Sequence, residues 1–238
     1  MTTAIIVQAR MNSSRLPGKV MMPILGLPLL EFLIERLNRV SQADLICVAC
    51  TTNQADEPIV NLSKTLGVVV YRGSEENALA RYFEAAQALR AVSVVRVTAD
   101  SPLLDPAELD RLILFYRSNS PKFAYVDNAS NHTYPLGMQA EVFSMSALST
   151  AHNEASTAYD REHLTSFIIR NSGRFKAGNV AFGQDKSYYQ LAVDTVEDFE
   201  LITKIITGLY PVNPEFSIHD VLDLLARNSE WGKVNSHI

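Results

Sequence analysis

The chain has 238 residues, 47% of them hydrophobic and 20% charged, and its formal net charge at pH 7 is −5. Such a composition is typical of a globular protein with a sizeable core and excludes a largely disordered chain. The acidic net charge and the lack of an extended basic, aromatic-rich face argue against nucleic-acid binding.

The apolar runs of the chain are short. The longest are of strand length, so we expect no membrane span. The N-terminus lacks a basic region followed by a long apolar run, so we expect no signal peptide and a cytoplasmic location.

Strands and amphipathic helices alternate over the first half of the sequence. Predicted strands cover Thr3–Ala9, Leu45–Thr51, Val68–Tyr71 and Ser93–Thr98. Predicted helices cover Leu29–Val40, Pro58–Leu66 and Asn77–Leu89. This alternation predicts an α/β fold with a mostly parallel central sheet and right-handed crossovers.

The rhythm changes in the second half, after a helix predicted from Asp105-Pro106 to about Tyr116. Further strands are predicted at Phe123–Asp127, Met138–Phe143, Gly178–Phe182 and Tyr188–Val193. Further helices are predicted at Ala147–Glu154, Arg161–Arg170, Thr195 to Leu209 and Val221–Arg227. We expect one domain, 1–238, with a smaller mixed insertion at 128–190 that serves as a lid or a dimerisation arm.

The two cysteines, Cys47 and Cys50, have CxxC spacing inside a predicted strand. A zinc site of this kind needs a second pair, which the chain lacks. Residues three apart on a strand point to opposite faces, so we predict two separate core thiols.

A cationic loop follows the first predicted strand. The first thirty residues contain Arg10, Arg15 and Lys19 and no carboxylate. Ser14 adds a hydrogen-bond donor, and Gly18 lets the backbone approach a ligand closely. In an acidic protein this pattern favours a small polyphosphate as the ligand. The alternative is an ordinary solvated loop.

Two familiar phosphate-binding loops are excluded. A P-loop needs glycine where this chain has Ser13, and Ser or Thr where it has Val20. The dinucleotide-binding pattern GxGxxG is also absent after the first strand.

Two aspartates follow predicted strands at their carboxyl ends. Asp100 follows the strand SVVRVT, and Asp194 follows the segment YYQLAV. The carboxyl ends of parallel strands share one edge of the sheet, where ligands bind. Opposite a cationic loop, the two carboxylates would suit Mg²⁺ bound together with substrate phosphates. The alternative is that each aspartate caps the turn or helix that follows it.

The opening segment QARMNSSRLPGK resembles that of the cytidylyltransferases that activate acidic sugars. The subgroup it resembles most is the spore-coat polysaccharide biosynthesis cytidylyltransferases, which are related to the 3-deoxy-manno-octulosonate and acylneuraminate enzymes. The resemblance continues to about residue 205 through VYRGSEENALARYFEAA, VRVTADSPLLDP, YPLGMQAEVFS, REHLTSFIIRN and VDTVEDFELI. It implies a single Rossmann-like nucleotide-diphospho-sugar transferase fold.

The resemblance also implies three groups of binding residues. Nucleotide binding falls on Arg10, Ser14, Arg15, Lys19, Arg72, Ser74 and Arg81. The cofactor Mg²⁺ falls on Asp100 and Asp194. The residues implied to bind the acceptor are Tyr134, Gln139, Glu141, Arg161 and His163. The residues implied to be catalytic are Arg10, Lys19 and Asp100.

The implied reaction transfers the CMP group of CTP to an acidic sugar and releases pyrophosphate. The resulting CMP-sugar would serve surface polysaccharide synthesis. A homodimer is also implied. The subgroup usually has acidic residues where this chain has Asn77, Ala80 and Gln139, and Gly-Asp-Cys where it has Ala99-Asp100-Ser101. These departures lie mainly on the acceptor side, so the acceptor sugar and the level of activity stay open.

Two alternative functions stay open. One is a glycosyltransferase of the same fold, although the metal-binding Asp-x-Asp common in those enzymes is replaced here by Asp100-Ser101-Pro102. The other is a nucleotide- or sugar-binding module with reduced catalysis.

Overall fold

The computed structural model describes residues 2–231; residues 1 and 232–238, which the single-domain prediction also covers, lie outside the described residues. The strands are β1 (Thr3–Gln8), β2 (Pro23–Ile24), β3 (Leu27–Pro28), β4 (Leu45–Thr51), β5 (Val69–Gly73), β6 (Ser93–Thr98), β7 (Tyr125–Asp127), β8 (Glu141–Ser144) and β9 (Ala177–Asn179). The helices are α1 (Leu29–Leu37), α2 (Glu57–Thr65), α3 (Ala78–Ala88), α4 (Pro106–Asn119), α5 (Met145–Glu154), α6 (Ala158–Glu162), α7 (Ser166–Arg170), α8 (Val196–Leu209) and α9 (Ile218–Arg227).

The central sheet has the strand order β5-β4-β1-β6-β8-β7-β9. The first four strands are parallel, β8 runs antiparallel to β6 and β7, and β9 is parallel to β7. The predicted α/β fold with a mostly parallel sheet is confirmed. Residues 128–190 supply β8 and β9 to this sheet, and their service as a lid or dimerisation arm stays a prediction.

Helices cover both faces of the sheet because its strands send alternate side chains to opposite sides. On β1, Ile5 and Val7 share a buried cluster with residues of α1, α2 and α4. Ala4 and Ile6 share a second cluster with residues of α3, α5 and α7. A third cluster joins α8 and α9 to Phe32 of α1. Cys47 and Cys50 are buried and free, as predicted.

Several predicted elements have ends shifted by a few residues, as β8 and β9 do against Met138–Phe143 and Gly178–Phe182, and two predicted elements differ from the structure more deeply. Tyr188–Val193 is not a strand: its backbone bonds go to two separate neighbours, Leu136 and Asp100, so it never forms a ladder with one strand. The predicted helix Arg161–Arg170 is instead two short helices, α6 and α7. The carboxylate of Asp160 accepts hydrogen bonds from Thr157, Ser166 and Arg170, which ties the two helices together across the break.

The carboxyl ends of β1 and β6 and the start of α8 lie at one edge of the sheet. The backbone N–H of Val193 donates to the carbonyl of Asp100 at 2.8 Å, which places Asp194 beside Asp100. Thr195 and Asp198 then form the predicted capping box that begins α8, and Asp198 also accepts from the N–H of Asp194. Within residues 2–231 no helix has the length and apolarity needed to cross a membrane.

Candidate active site

The ammonium group of Lys19 lies between the two aspartates that the sequence singled out. Lys19 Nζ is 2.9 Å from Asp100 Oδ2, 2.8 Å from Asp194 Oδ1 and 2.6 Å from the carbonyl oxygen of Val193. An ammonium has three N–H donors, so each donor has an acceptor. The side chain of Lys19 is only 9% exposed. The predicted convergence of the first loop with the two distant carboxylates is therefore present in the structure.

A cavity of about 200 Å³ opens beside this cluster. It is lined by Gln8, Arg10, Ser13, Ser14, Arg15, Lys19, Val20, Thr98, Ala99, Asp100 and Asp194. Arg15 Nη2 is 2.9 Å from Asp194 Oδ2, although its side chain is 57% exposed. Arg10 makes no hydrogen bond or ion pair with the part of the chain that the structure describes, so its guanidinium is available to an anion.

The cationic loop is held in place by Asp56, which lies in a 3-10 turn at Gln54–Asp56. Its buried carboxylate accepts from the N–H of Met11 at 2.7 Å and from the N–H and hydroxyl of Thr51 at 2.8 and 2.6 Å. The turn before Lys19 uses Gly18 in the left-handed region, at φ +75°. In the sequence Asp56 is marked only as an aspartate near the start of a predicted helix, and no local pattern predicts its bonds to the loop.

The donor set of this cluster suits Mg²⁺. The position of the Lys19 ammonium shows that a cation can contact one oxygen from each aspartate at once. Mg²⁺ takes oxygen ligands, commonly one or two carboxylates completed by waters and substrate phosphates. Among residues 2–231 no group of three or more His, Cys, Asp or Glu side chains could hold a metal ion. Asp100 and Asp194 would therefore hold Mg²⁺ only with oxygens from elsewhere.

Arg72 and Arg81, also predicted to bind nucleotide, do not line this cavity. Arg72 pairs with Glu57 and donates to the carbonyls of Thr51 and Asn53. Arg81 is fully buried and donates to the carbonyl of Ser74. Their binding to nucleotide stays a prediction.

Arg81 carries unsatisfied donors. Its Nε and Nη2 atoms are buried and have no partner within residues 2–231, and burial lowers the pKa of its guanidinium. Its neighbour Ser74 accepts from the N–H of Asn77, and Glu75 accepts from Asn12 of the cationic loop. The segment therefore lies next to the loop and supports it from one side.

The predicted acceptor residues fall into separate places. Tyr134 is buried, donates to Glu108 and accepts from Arg111, and burial raises the pKa of its hydroxyl. Gln139 is half-buried near the carboxyl end of β6, in a stretch where Asn128 bonds the backbone of Met138 and Ala140. Arg161 is exposed. These residues do not converge on one site.

Glu141 is buried against Arg96, which faces it from the neighbouring strand. Tyr125 Oη donates to Glu141 Oε1 at 2.6 Å, and Thr165 Oγ1 donates to the same oxygen at 2.7 Å. Burial by itself opposes ionisation, but Arg96 and these hydrogen bonds outweigh it and lower the pKa of Glu141. In the sequence Arg96 is marked only as part of the predicted strand Ser93–Thr98, and no local pattern predicts its pairing with Glu141.

A second cavity, of about 410 Å³, lies over Arg96. It is lined by Arg96, Tyr159, His163, Leu164, Thr165, Ser166, Ile169 and Arg170, with no carboxylate among them. The ring centroids of Tyr159 and His163 are 4.2 Å apart. Of the predicted acceptor residues, His163 lines this cavity.

The two cavities are neighbours. Thr98 lines the first cavity and Arg96 the second, and both lie on β6 with one residue between them. Residues i and i+2 of a strand face the same side, roughly 7 Å apart. A ligand in the first cavity could therefore reach a group bound in the second.

The family model described as cytidylyltransferase matches residues 4–212. The chain belongs to the cytidylyltransferase family. This cytidylyltransferase is 30% identical over 241 residues to the spore coat polysaccharide biosynthesis protein SpsF of Bacillus subtilis, with 94% of each chain covered. It is also 30% identical over 112 residues to a 3-deoxy-manno-octulosonate cytidylyltransferase of Anaeromyxobacter sp., which covers 46% of this chain and 45% of that one.

The fold of this cytidylyltransferase agrees with a solved relative. The structure of a cytidylyltransferase from Leptospira borgpetersenii matches it with a TM-score of 0.93 and 31% sequence identity, covering 97% of this chain and 96% of that one. The predicted family resemblance is thus confirmed, and the family supports a nucleotidyltransferase enzyme.

Proposed function

We propose that this cytidylyltransferase transfers the CMP group of CTP to a hydroxyl of an acidic sugar. The sugar oxygen attacks the α-phosphorus in line, the bond from that phosphorus to the bridging oxygen of the β-phosphate breaks, and pyrophosphate leaves. The hydroxyl proton passes to solvent or a nearby base. Such transfers depend on positioning and charge neutralisation more than on covalent help from the protein.

The observation that carries this proposal is the meeting of Lys19 with Asp100 and Asp194 at the rim of the cationic cavity. Arg10, Arg15 and Ser14 line the same cavity. Cationic side chains and hydroxyl donors there suit a triphosphate, and the two carboxylates suit a divalent cation that bridges to phosphate.

The protein's own groups would stabilise the leaving pyrophosphate. Arg10 makes no hydrogen bond or ion pair among the described residues, so it would donate to phosphate oxygens without breaking one. Arg15 is largely exposed and would reach the outer phosphates. Fixed donors of this kind are worth most where negative charge develops in the transition state. Mg²⁺ held by Asp100 and Asp194 would add neutralisation of the phosphate charge when bound.

We propose the second cavity as the acceptor site. Arg96, His163 and Arg170 line it, and no carboxylate does. Arg96 pairs with Glu141 and Arg170 with Asp160, but a guanidinium has five N–H donors and can also donate to an anionic acceptor. The hydroxyl hydrogens of Thr165 and Ser166 are donated to Glu141 and Asp160, so their oxygens suit sugar hydroxyls as acceptors. Its position next to Thr98 brings an acceptor oxygen toward the cavity proposed for the nucleotide.

A substrate panel tests the proposal. Purified protein with Mg²⁺ would be given each of CTP, UTP, ATP and GTP with acidic eight- and nine-carbon sugars and matched neutral hexoses, and pyrophosphate would be measured. We expect release with CTP and an acidic sugar. Release with neutral sugars alone would contradict the acidic acceptor, and free nucleotide from a nucleotide-sugar donor would indicate a glycosyltransferase instead. Binding of CTP with no turnover on any sugar would indicate a binding module.

We also propose a cytoplasmic homodimer, as the resemblance implies. Sedimentation equilibrium on the full chain should give about twice the 26.4 kDa of one chain. A mass of one chain at micromolar concentration would contradict the dimer.

A further inference from the structure

Lys19 occupies the place between Asp100 and Asp194 that a metal ion would take. Its ammonium contacts one oxygen of each carboxylate and the carbonyl of Val193, all within 2.9 Å. Each of its three N–H donors is used, so it has none left for a phosphate. Lys19 therefore cannot bind the triphosphate while its ammonium remains between the two aspartates.

The charges of the cluster balance without any ligand. Lys19 and Arg15 bring two positive charges, and Asp100 and Asp194 bring two negative ones. A free divalent cation would meet no excess negative charge there. It would also have to expel an ammonium that is 9% exposed and hydrogen-bonded on three sides.

We propose that Lys19 is a resident counter-ion that closes the metal site to free divalent cations. It leaves the carboxylates only when the phosphates of a nucleotide are present to accept its ammonium. Since Lys19 already lines the cationic cavity, the move to a phosphate is a change of side-chain conformation. The metal then enters together with the nucleotide, and the affinities of the two are thermodynamically coupled.

A second observation supports the coupling. The described part of the chain supplies no third acidic or histidine ligand near the two aspartates. A divalent ion there needs further oxygens, and the phosphates of the nucleotide are the ones at hand. The inference rests on the proposed metal site, but its test requires neither an acceptor nor turnover.

The test is a titration of the nucleotide-free protein with Mn²⁺. The electron paramagnetic resonance signal of unbound Mn²⁺ measures how much of the metal is bound. Lys19→Met removes the ammonium and keeps the length of the side chain. Lys64→Met, at an exposed position in the last turn of α2, is the matched control for the loss of one positive charge. We expect Lys19→Met to bind Mn²⁺ at least about tenfold more tightly than the wild type, because the competent state no longer requires withdrawal of Lys19. Affinities equal within about twofold would overturn the proposal.

A measurement on the wild type alone guards against a variant that fails to fold. We expect weak Mn²⁺ binding without nucleotide and at least about tenfold tighter binding when CTP is present without acceptor. Tight binding of free Mn²⁺ by the wild type, unchanged by CTP, would overturn the proposal whatever the variant does.

Mn²⁺ binding and pyrophosphate release, measured on the same proteins, separate this inference from the proposed function. Lys19→Met with tightened Mn²⁺ binding, in a protein whose wild type releases no pyrophosphate, would support the counter-ion role and contradict the transferase. Normal pyrophosphate release by the wild type with tight nucleotide-free Mn²⁺ binding would do the reverse.

Discussion

Arg96 on β6 and Glu141 on β8 face each other across the sheet, and Arg96 Nη1 donates to Glu141 Oε2. The Glu141 side chain is 12% exposed and the Arg96 side chain 29%, on the side of the second cavity. The pair therefore fixes a guanidinium in the wall of the cavity we propose for the acceptor. Because Glu141 is largely buried, the free energy of unfolding should respond strongly to a change in the Arg96–Glu141 pair.

Removing one charge of this pair should destabilise the protein. Glu141→Gln leaves the half-buried Arg96 and the hydroxyls of Tyr125 and Thr165 without their carboxylate acceptor, and we expect a loss of about 3 kcal/mol in the free energy of unfolding. Glu154→Gln is the matched control, since Glu154 pairs with Arg174 at an exposed site. We expect the control to lose at most about 1 kcal/mol. Urea denaturation measures both, and equal losses would contradict the burial of the Arg96 pair.

The effect of Glu141 should depend on pH. Its pKa is lower in the folded protein than the ordinary value of 4.5. The ionised carboxylate therefore contributes stability that is fully present above pH 4.5 and is lost as the pH falls through the lower folded value. We expect the difference in unfolding free energy between wild type and Glu141→Gln to shrink steadily below pH 4.5. A difference that grows on acidification would contradict this assignment.

Asp100 and Lys19 should be needed for turnover. Asp100→Ala removes a carboxylate from the cation site, and Lys19→Ala removes the ammonium between the two aspartates. We expect each change to lower kcat for pyrophosphate release by at least about a hundredfold, roughly 3 kcal/mol of barrier. Asp223→Ala, at an exposed position of α9, should leave kcat unchanged. A folded Asp100→Ala protein with near-normal turnover would remove Asp100 from the site.

Arg10 should affect substrate binding without affecting stability. It has no hydrogen bond or ion pair among residues 2–231, so Arg10→Ala should change the free energy of unfolding by less than about 0.5 kcal/mol. We expect the KM for CTP to rise at least about tenfold, since a charge-assisted contact to phosphate is lost. An unchanged KM would show that the nucleotide does not contact this side of the cavity.

Asp56 should be a structural support for the cationic loop. Asp56→Ala leaves the N–H groups of Met11 and Thr51 and the Thr51 hydroxyl without their acceptor. We expect a loss of about 3 kcal/mol in unfolding free energy. The KM for CTP should also rise, because the loop that carries Arg10 and Arg15 is no longer anchored. A stable variant with unchanged KM would contradict this role.

Much of the fold could be predicted because the strands β1, β4, β5 and β6 are parallel, and the sequence marks them by apolar runs between amphipathic helices. The site followed from one geometric rule, that such strands end at a shared edge. Asp194 was placed correctly there although the segment before it is not a strand. The pairing of Val193 with Asp100 and the bond from the N–H of Asp194 to Asp198 hold it there.

The parts that could not be predicted depend on side-chain partners distant in sequence. The pairing of Arg96 with Glu141 depends on an antiparallel register between strands far apart in the chain, which no local pattern encodes. The saturation of Lys19 by three acceptors likewise requires positions 100, 193 and 194 to meet. Asn77 shows a milder case: its side chain caps α3 through the N–H of Ala80, a role that aspartate fills equally well. The departure from the acidic residue usual at this position therefore leaves the helix intact.

The most direct test of the central claim is a crystal structure of the protein with Mg²⁺ and CTP. We expect the triphosphate in the cavity lined by Arg10, Arg15 and Lys19, with a metal ion contacting Asp100 and Asp194 and the Lys19 ammonium moved to a phosphate oxygen. A nucleotide bound elsewhere, such as the cavity over Arg96, with Lys19 still held by both aspartates, would contradict it.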